Sequence, residues 1–107
     1  MIYLANAFSL SMLPSAGPVR LSVIPTTNEF VGARLEENPW TSAVGHAQTA
    51  ALFTEELGIE VPTNRIAVTL TNADRLFVGQ YTGPRLPEGS TSLPEGAAIR
   101  WFLIVRG

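Results

Sequence analysis

Residues 98–105 read AIRWFLIV, an apolar run broken only by Arg100. A run this short, entered from a glycine- and proline-rich stretch, suits a strand covered on both faces better than a helix. If it is the central strand of a sheet, the rest of the chain must supply its neighbours and its covers. Working backward, residues 82–96, TGPRLPEGSTSLPEG, have no apolar periodicity and read as a long loop. Loops of that length in compact domains commonly carry function. LPEG occurs in it at 86–89 and again at 93–96, as turn chemistry used twice and not as a solenoid repeat. Before the loop, RLFVGQY at 75–81 predicts a strand, TNAD at 71–74 a hairpin turn, and RIAVTL at 65–70 a further strand.

The N-terminal half supplies the covers. IYLANAFS at 2–9 predicts a first strand with Ile2, Leu4 and Phe8 on one face. Asn6 falls on that same apolar face, which is odd for a purely structural strand. PSAGP at 14–18 is a turn, and VRLSVI at 19–24 a second strand. Thr26 followed three residues later by Glu29 forms a capping-box pattern. It predicts a helix to about Glu37, ended by Asn38-Pro39. Gly32 costs that helix about 1 kcal/mol relative to alanine. A second helix is predicted from Ser42 as N-cap to Leu57, stopped by Gly58, with Val44, Ala47, Ala50, Ala51 and Leu57 as its buried stripe. The order β-β-α-α-β-β-β predicts an α+β domain over residues 1–107, a mixed sheet with helices on one face.

Composition bounds the function. With 46% hydrophobic and 15% charged residues the chain is globular, and no apolar run approaches the roughly 18 residues of a membrane span. The first residues lack a basic segment and read as a strand, not a leader, so a cytoplasmic location is expected. A net charge of −2 argues against binding long nucleic acid. Lysine is absent, and the seven basic residues are Arg20, Arg34, Arg65, Arg75, Arg85, Arg100 and Arg106. Arginine suits bidentate phosphate contacts and stacking on bases, although a compositional bias explains the missing lysine equally well.

Few groups are available for chemistry. His46 is the only histidine. A helix begun at Ser42 would put it at the end of the first turn, where free N–H groups attract anions and Gly45 lets a phosphate approach the backbone. It reads either as a helix-start histidine with a structural partner or as an acid–base group. Arg85, set between Pro84 and Pro87 with Glu88 beside it, reads either as a surface turn with a local ion pair or as an anion clamp on a lid. Arg65 follows PTN, Gln80 lies near a strand end, and Asn6, Ser9 and Ser11 follow the first strand; all can read sugars, bases or phosphates. Without cysteine and with one histidine the ligands of a zinc site are lacking, and with Asp74 the only aspartate and Glu55-Glu56 merely adjacent near a helix end, a two-metal carboxylate cluster has little support. No cofactor motif, Walker loop or GxSxG is present.

Four stretches, IYLANAFSLSML at 2–13, SAVGH at 42–46, GIEVPTNRI at 58–66 and GPRLPEG at 83–89, together resemble the viral ring nuclease family. The resemblance runs nearly end to end. Members of that family are type III anti-CRISPR proteins that degrade cyclic tetra-adenylate. It implies a sheet of about five strands with helices on one face, a tight two-fold homodimer, and a metal-independent phosphodiesterase that needs no cofactor. It places the catalytic histidine on His46, next to Gly45, and ligand contacts on Arg65, Gln80, Arg85, Glu88, Asn6 and Ser9. Ser11 stands where some relatives carry asparagine. A non-catalytic module that binds a cyclic oligonucleotide or another nucleic acid is the alternative.

Overall fold

β5 (Ala98–Arg106) is an interior strand, as its apolar run requires. In the computed structural model, which describes residues 1–107, it pairs antiparallel with β2 (Leu21–Thr26) on one side and β4 (Arg75–Thr82) on the other. β1 (Ile2–Ala5) continues the sheet parallel to β4, and β3 (Thr41–Ser42) closes it parallel to β1. The order is β2-β5-β4-β1-β3, a five-stranded mixed sheet. Both edges are blunt. Pro25 takes an N–H out of β2, and β3 is two residues long.

Helices α1 (Asn28–Glu37) and α2 (Ala47–Leu57) cover one face. Val31 and Leu35 of α1 and Ala50, Phe53 and Leu57 of α2 are buried with Leu4, Phe77 and Trp101 of the sheet. Gly79 makes room for the aromatic pair there. A Cβ at 79 would stand 2.6 Å from both the Phe53 and Trp101 rings, whose centroids are 4.9 Å apart. Gly32 does the same between the helices, where a Cβ would lie 2.7 Å from the Leu57 carbonyl oxygen.

The opposite face is covered differently from the sequence expectation. Residues 65–70 make no ladder and form no strand. Their alternation is matched by burial only in its second half: Val68 and Leu70 are buried with Ala5, Leu76, Val78 and Ile104, while Ile66 is exposed. The segment crosses the sheet as a strap, held where the Leu70 N–H donates to Met12 O (2.8 Å) and the Arg106 guanidinium to Leu70 O (3.0 Å). TNAD is therefore a turn, closed by the Asp74 N–H on Thr71 O, but not a hairpin. The fifth strand is Thr41–Ser42 instead.

Three boundaries also shift. β1 ends at Ala5 with a bend at Asn6, a 3-10 turn follows at Leu10–Met12, and Phe8 between them packs on the face opposite Leu4. Thr27, not Thr26, caps α1, its Oγ1 accepting from Phe30 N (3.2 Å), while Thr26 pairs with Trp101 at the end of β2. α2 begins at Ala47, five residues after the predicted cap. No helix is long and apolar enough to cross a membrane.

Candidate functional site

β1, β3 and β4 run parallel, so their carboxyl ends open on the same edge of the sheet. In open sheets of this kind that edge is where ligands are held. The chain leaving β3 is fixed there by short polar side chains. The Ala43 N–H donates to Leu4 O (2.7 Å). The buried Ser42 hydroxyl donates to Pro62 O (2.6 Å) and accepts from Val44 N (3.2 Å). Asn64 completes the clamp, its side-chain amide donating to Ser42 O (2.7 Å) and its N–H to Val44 O (2.8 Å). Residues 42–44 are thus tied to 62–64, and Arg65 follows directly. Its stem lies over Gly45, where an added Cβ would be 3.3 Å from Arg65 Cγ. A side chain at 45 would press against the stem of Arg65.

His46 is the N-cap of α2, one residue before the first turn and not at its end. Its carbonyl accepts from Ala50 N (2.9 Å), but its exposed side chain makes no capping bond. A serine, threonine, aspartate or asparagine would accept from a first-turn N–H at this position. The ring therefore leaves those donors free for another acceptor. This weighs against a structural reason for the histidine.

The loop after β4 returns to the same helix start. Gln48, in the first turn of α2, donates from Nε2 to Pro87 O (2.5 Å). The Tyr81 hydroxyl donates to Pro84 O, and the Ser90 hydroxyl to Pro87 O (2.8 Å). Gln48, Arg85, Leu86, Pro87 and Glu88 line an open hollow of about 560 Å³. Arg85 and Glu88 do not form the local ion pair that a plain surface turn would explain; the chain's ion pair lies elsewhere, between Met1 and Asp74. The start of α2 thus has the Arg65 stem against Gly45, just before His46, and the loop of Arg85 and Glu88 against Gln48, just after it.

The remaining sequence candidates are placed otherwise. Ser9 and Ser11 serve the 3-10 turn, with Ser9 Oγ accepting from Ser11 N (3.2 Å) and lying 2.9 Å from Ser11 Oγ. Asn6 sits half-buried in the bend just past β1. Gln80 lines a groove of about 250 Å³ with Phe8, Val23, Val78, Phe102 and Ile104, on the sheet face away from the helices. A further hollow of about 440 Å³ opens at the start of α1, where Glu29, Glu56 and Arg100 are among its walls, and none of the candidates reaches it. No three histidine, aspartate or glutamate side chains converge. Sequence reading missed Gln48 and Asn64. An amide two residues past the only histidine and an asparagine before Arg65 were the available signals, and neither is distinctive without the contacts.

Known proteins share this architecture. B116 of Sulfolobus turreted icosahedral virus superposes with a TM-score of 0.78 over 97% of each chain, at 24% sequence identity. "Uncharacterized protein 26" of Sulfolobus islandicus filamentous virus (isolate Iceland/Hveragerdi) is 34% identical over 77 residues. That match spans 72% of this chain and 64% of the viral protein's length. The STIV B116-like family matches across residues 2–98. The chain belongs to the STIV B116-like family.

Proposed function

We propose that this chain is a ring nuclease, a metal-independent phosphodiesterase that opens cyclic tetra-adenylate and so antagonises type III CRISPR signalling in the cytoplasm of the cell. The observation that carries the reading is the placement of His46. The only histidine occupies an N-cap it does not cap, with the Arg65 stem over the adjacent Gly45 and the Arg85 loop hooked to the next turn. A phosphate at the start of α2 would meet uncapped N–H groups, two arginines and an imidazole together. The resemblance of 2–13, 42–46, 58–66 and 83–89 to ring nucleases supplies the substrate.

The reaction suits a single-histidine site. A ribose 2′-hydroxyl of the ring attacks its own adjacent phosphorus and gives up its proton to solvent water. The P–O5′ bond breaks, and His46 donates its proton to the departing 5′-oxygen. Arg65, Arg85 and the helix-start N–H groups stabilise the charge that develops on the phosphoryl oxygens. In-line geometry imposed by binding contributes much of the rate. The products are linear adenylates with a 2′,3′-cyclic phosphate and a 5′-hydroxyl.

A two-fold homodimer belongs to this reading. A ring of four identical nucleotides has even symmetry, and two copies of His46 would address opposite phosphates. The groove around Gln80 supports a second copy as the occupant of the open sheet face. It is lined by five apolar residues and one amide, with no charge that would oppose itself across a two-fold axis.

The test is incubation of labelled cyclic tetra-adenylate with the protein in EDTA. Linear products bearing a cyclic phosphate are expected. Cleavage that requires added magnesium or manganese overturns the mechanism, and tight binding without products moves the chain to the alternative, a binding module.

A further inference from the structure

Gln48 is one of the two residues, with Asn64, that the sequence did not single out and the contacts do. We infer that Gln48 is a positioning residue, a latch on α2 that holds the Arg85 loop against the helix start. The substrate side of this inference rests on the ring nuclease reading; the latch itself does not.

The argument starts at one oxygen. Pro87 O accepts from Gln48 Nε2 (2.5 Å), from Ser90 N (3.1 Å) and from Ser90 Oγ (2.8 Å). A carbonyl oxygen offers two lone pairs, so three donors compete for it. Two of them are the loop's own, and they keep the turn at 87–90 closed whatever the helix does. The third comes from another element, 39 residues earlier in the chain. When Gln48 lets go, Pro87 O stays satisfied by Ser90, and the exposed amide turns to water. Opening therefore strands no acceptor, unlike the rupture of a buried bond. That is the property of a reversible catch.

The loop has little else to hold it. Residues 83–97 carry Gly83, Gly89 and Gly96 at positive φ, and most of their side chains are exposed. Leu86 is half-buried, but Arg85, Pro87 and Glu88 are not. Among side-chain hydrogen bonds, the Gln48 amide is the one that joins 83–97 to a helix. Arg85 and Glu88 share the hollow with Gln48, so the latch determines where the guanidinium stands relative to the first turn of α2. Gln48 is one residue beyond the first helical residue and two beyond His46, so the catch and the proposed proton donor are carried by the same rigid turn.

Three variants test this. Gln48→Ala removes the side chain, Gln48→Glu keeps its size but replaces the donor with an acceptor, and Gln48→Lys restores a donor. Trypsin cleavage of the Arg85–Leu86 bond reads loop opening without reference to any substrate. The alanine and glutamate variants are expected to be cut about fivefold faster than wild type, the effect of one net hydrogen bond, and the lysine variant close to the wild-type rate. Melting temperatures are expected to stay level, since Gln48 lies at the surface of one helical turn. On cyclic tetra-adenylate, KM is expected to rise severalfold in the alanine and glutamate variants with kcat little changed. Equal trypsin rates in all four proteins overturn the latch. Faster cutting with no cleavage of the ring by any of them, wild type included, leaves the latch standing and removes the ring nuclease reading. Faster cutting with unchanged KM in an active enzyme overturns the positioning role.

Discussion

At the head of α2 stands a histidine whose ring caps nothing, although the position is one where a short oxygen-bearing side chain would stabilise the helix. His46→Ala is expected to leave the melting temperature near wild type and the binding of cyclic tetra-adenylate within about tenfold, or about 1.4 kcal/mol. Single-turnover cleavage should fall by at least about 100-fold, the lower range for a lost general acid. His46→Ser sharpens the contrast. It should gain about 1 kcal/mol in stability by capping the first turn and lose cleavage equally, read by denaturant unfolding and product formation on one preparation. A variant that cleaves at the wild-type rate would take His46 out of the mechanism. Asp74 is the other residue whose environment sets a measurable property. Burial raises its pKa, but the Thr71 N–H (2.8 Å), the Thr71 hydroxyl (3.1 Å) and the Met1 ammonium (3.3 Å) outweigh burial and hold it below the ordinary 3.8. A depressed carboxylate contributes stability above its unfolded pKa, and that stability is lost as pH falls through the lower folded value. Asp74→Asn should therefore be less stable than wild type at pH 7, on the order of 2 kcal/mol. The two proteins should converge in urea melts taken well below pH 3.8.

Between elements, Gly32 reverses its apparent meaning. On helix propensity alone, Gly32→Ala should stabilise α1 by about 1 kcal/mol. The added methyl would instead meet the backbone oxygen of Leu57 at 2.7 Å and push α1 from α2. A net loss of about 1–3 kcal/mol is expected, the range for overpacking, and a rise in Tm would show that the helices separate freely. The same gap between local pattern and tertiary setting explains what sequence reading recovered. The apolar run of β5, the apolar LFVG run of β4 and the stop at Gly58 were legible because each depends on neighbours in sequence. Residues 65–70 alternate in sequence just as a strand does, yet only Val68 and Leu70 are buried and Ile66 is exposed, so the pattern does not report a strand. It is silent on whether the backbone finds a ladder partner, and here it finds single anchors at Met12 and Arg106. Ser42 was misread as a cap because its hydroxyl does bond nearby backbone, but in the bend after β3 and not at a helix start. In the site, the histidine and arginines stood out by rarity and setting. The amides of Gln48 and Asn64, which position them, become visible only when the chain is folded.

For the molecule as a whole, the proposed two-fold association can be checked apart from catalysis. Light scattering at micromolar concentration is expected to give twice the protomer mass. Val23→Asp, at an exposed position on the rim of the open sheet groove, should give the protomer mass with unchanged circular dichroism. A wild-type monomer would sink the dimer, and a Val23→Asp dimer would move it to another face. Association through a face also agrees with how the sheet ends. At one margin Pro25 leaves a gap in the row of backbone donors, and at the other Thr41–Ser42 offers too short a row to recruit a long strand. Both margins therefore disfavour strand-by-strand addition of folded copies, the route by which a chain with nearly half its residues hydrophobic would otherwise grow into fibres.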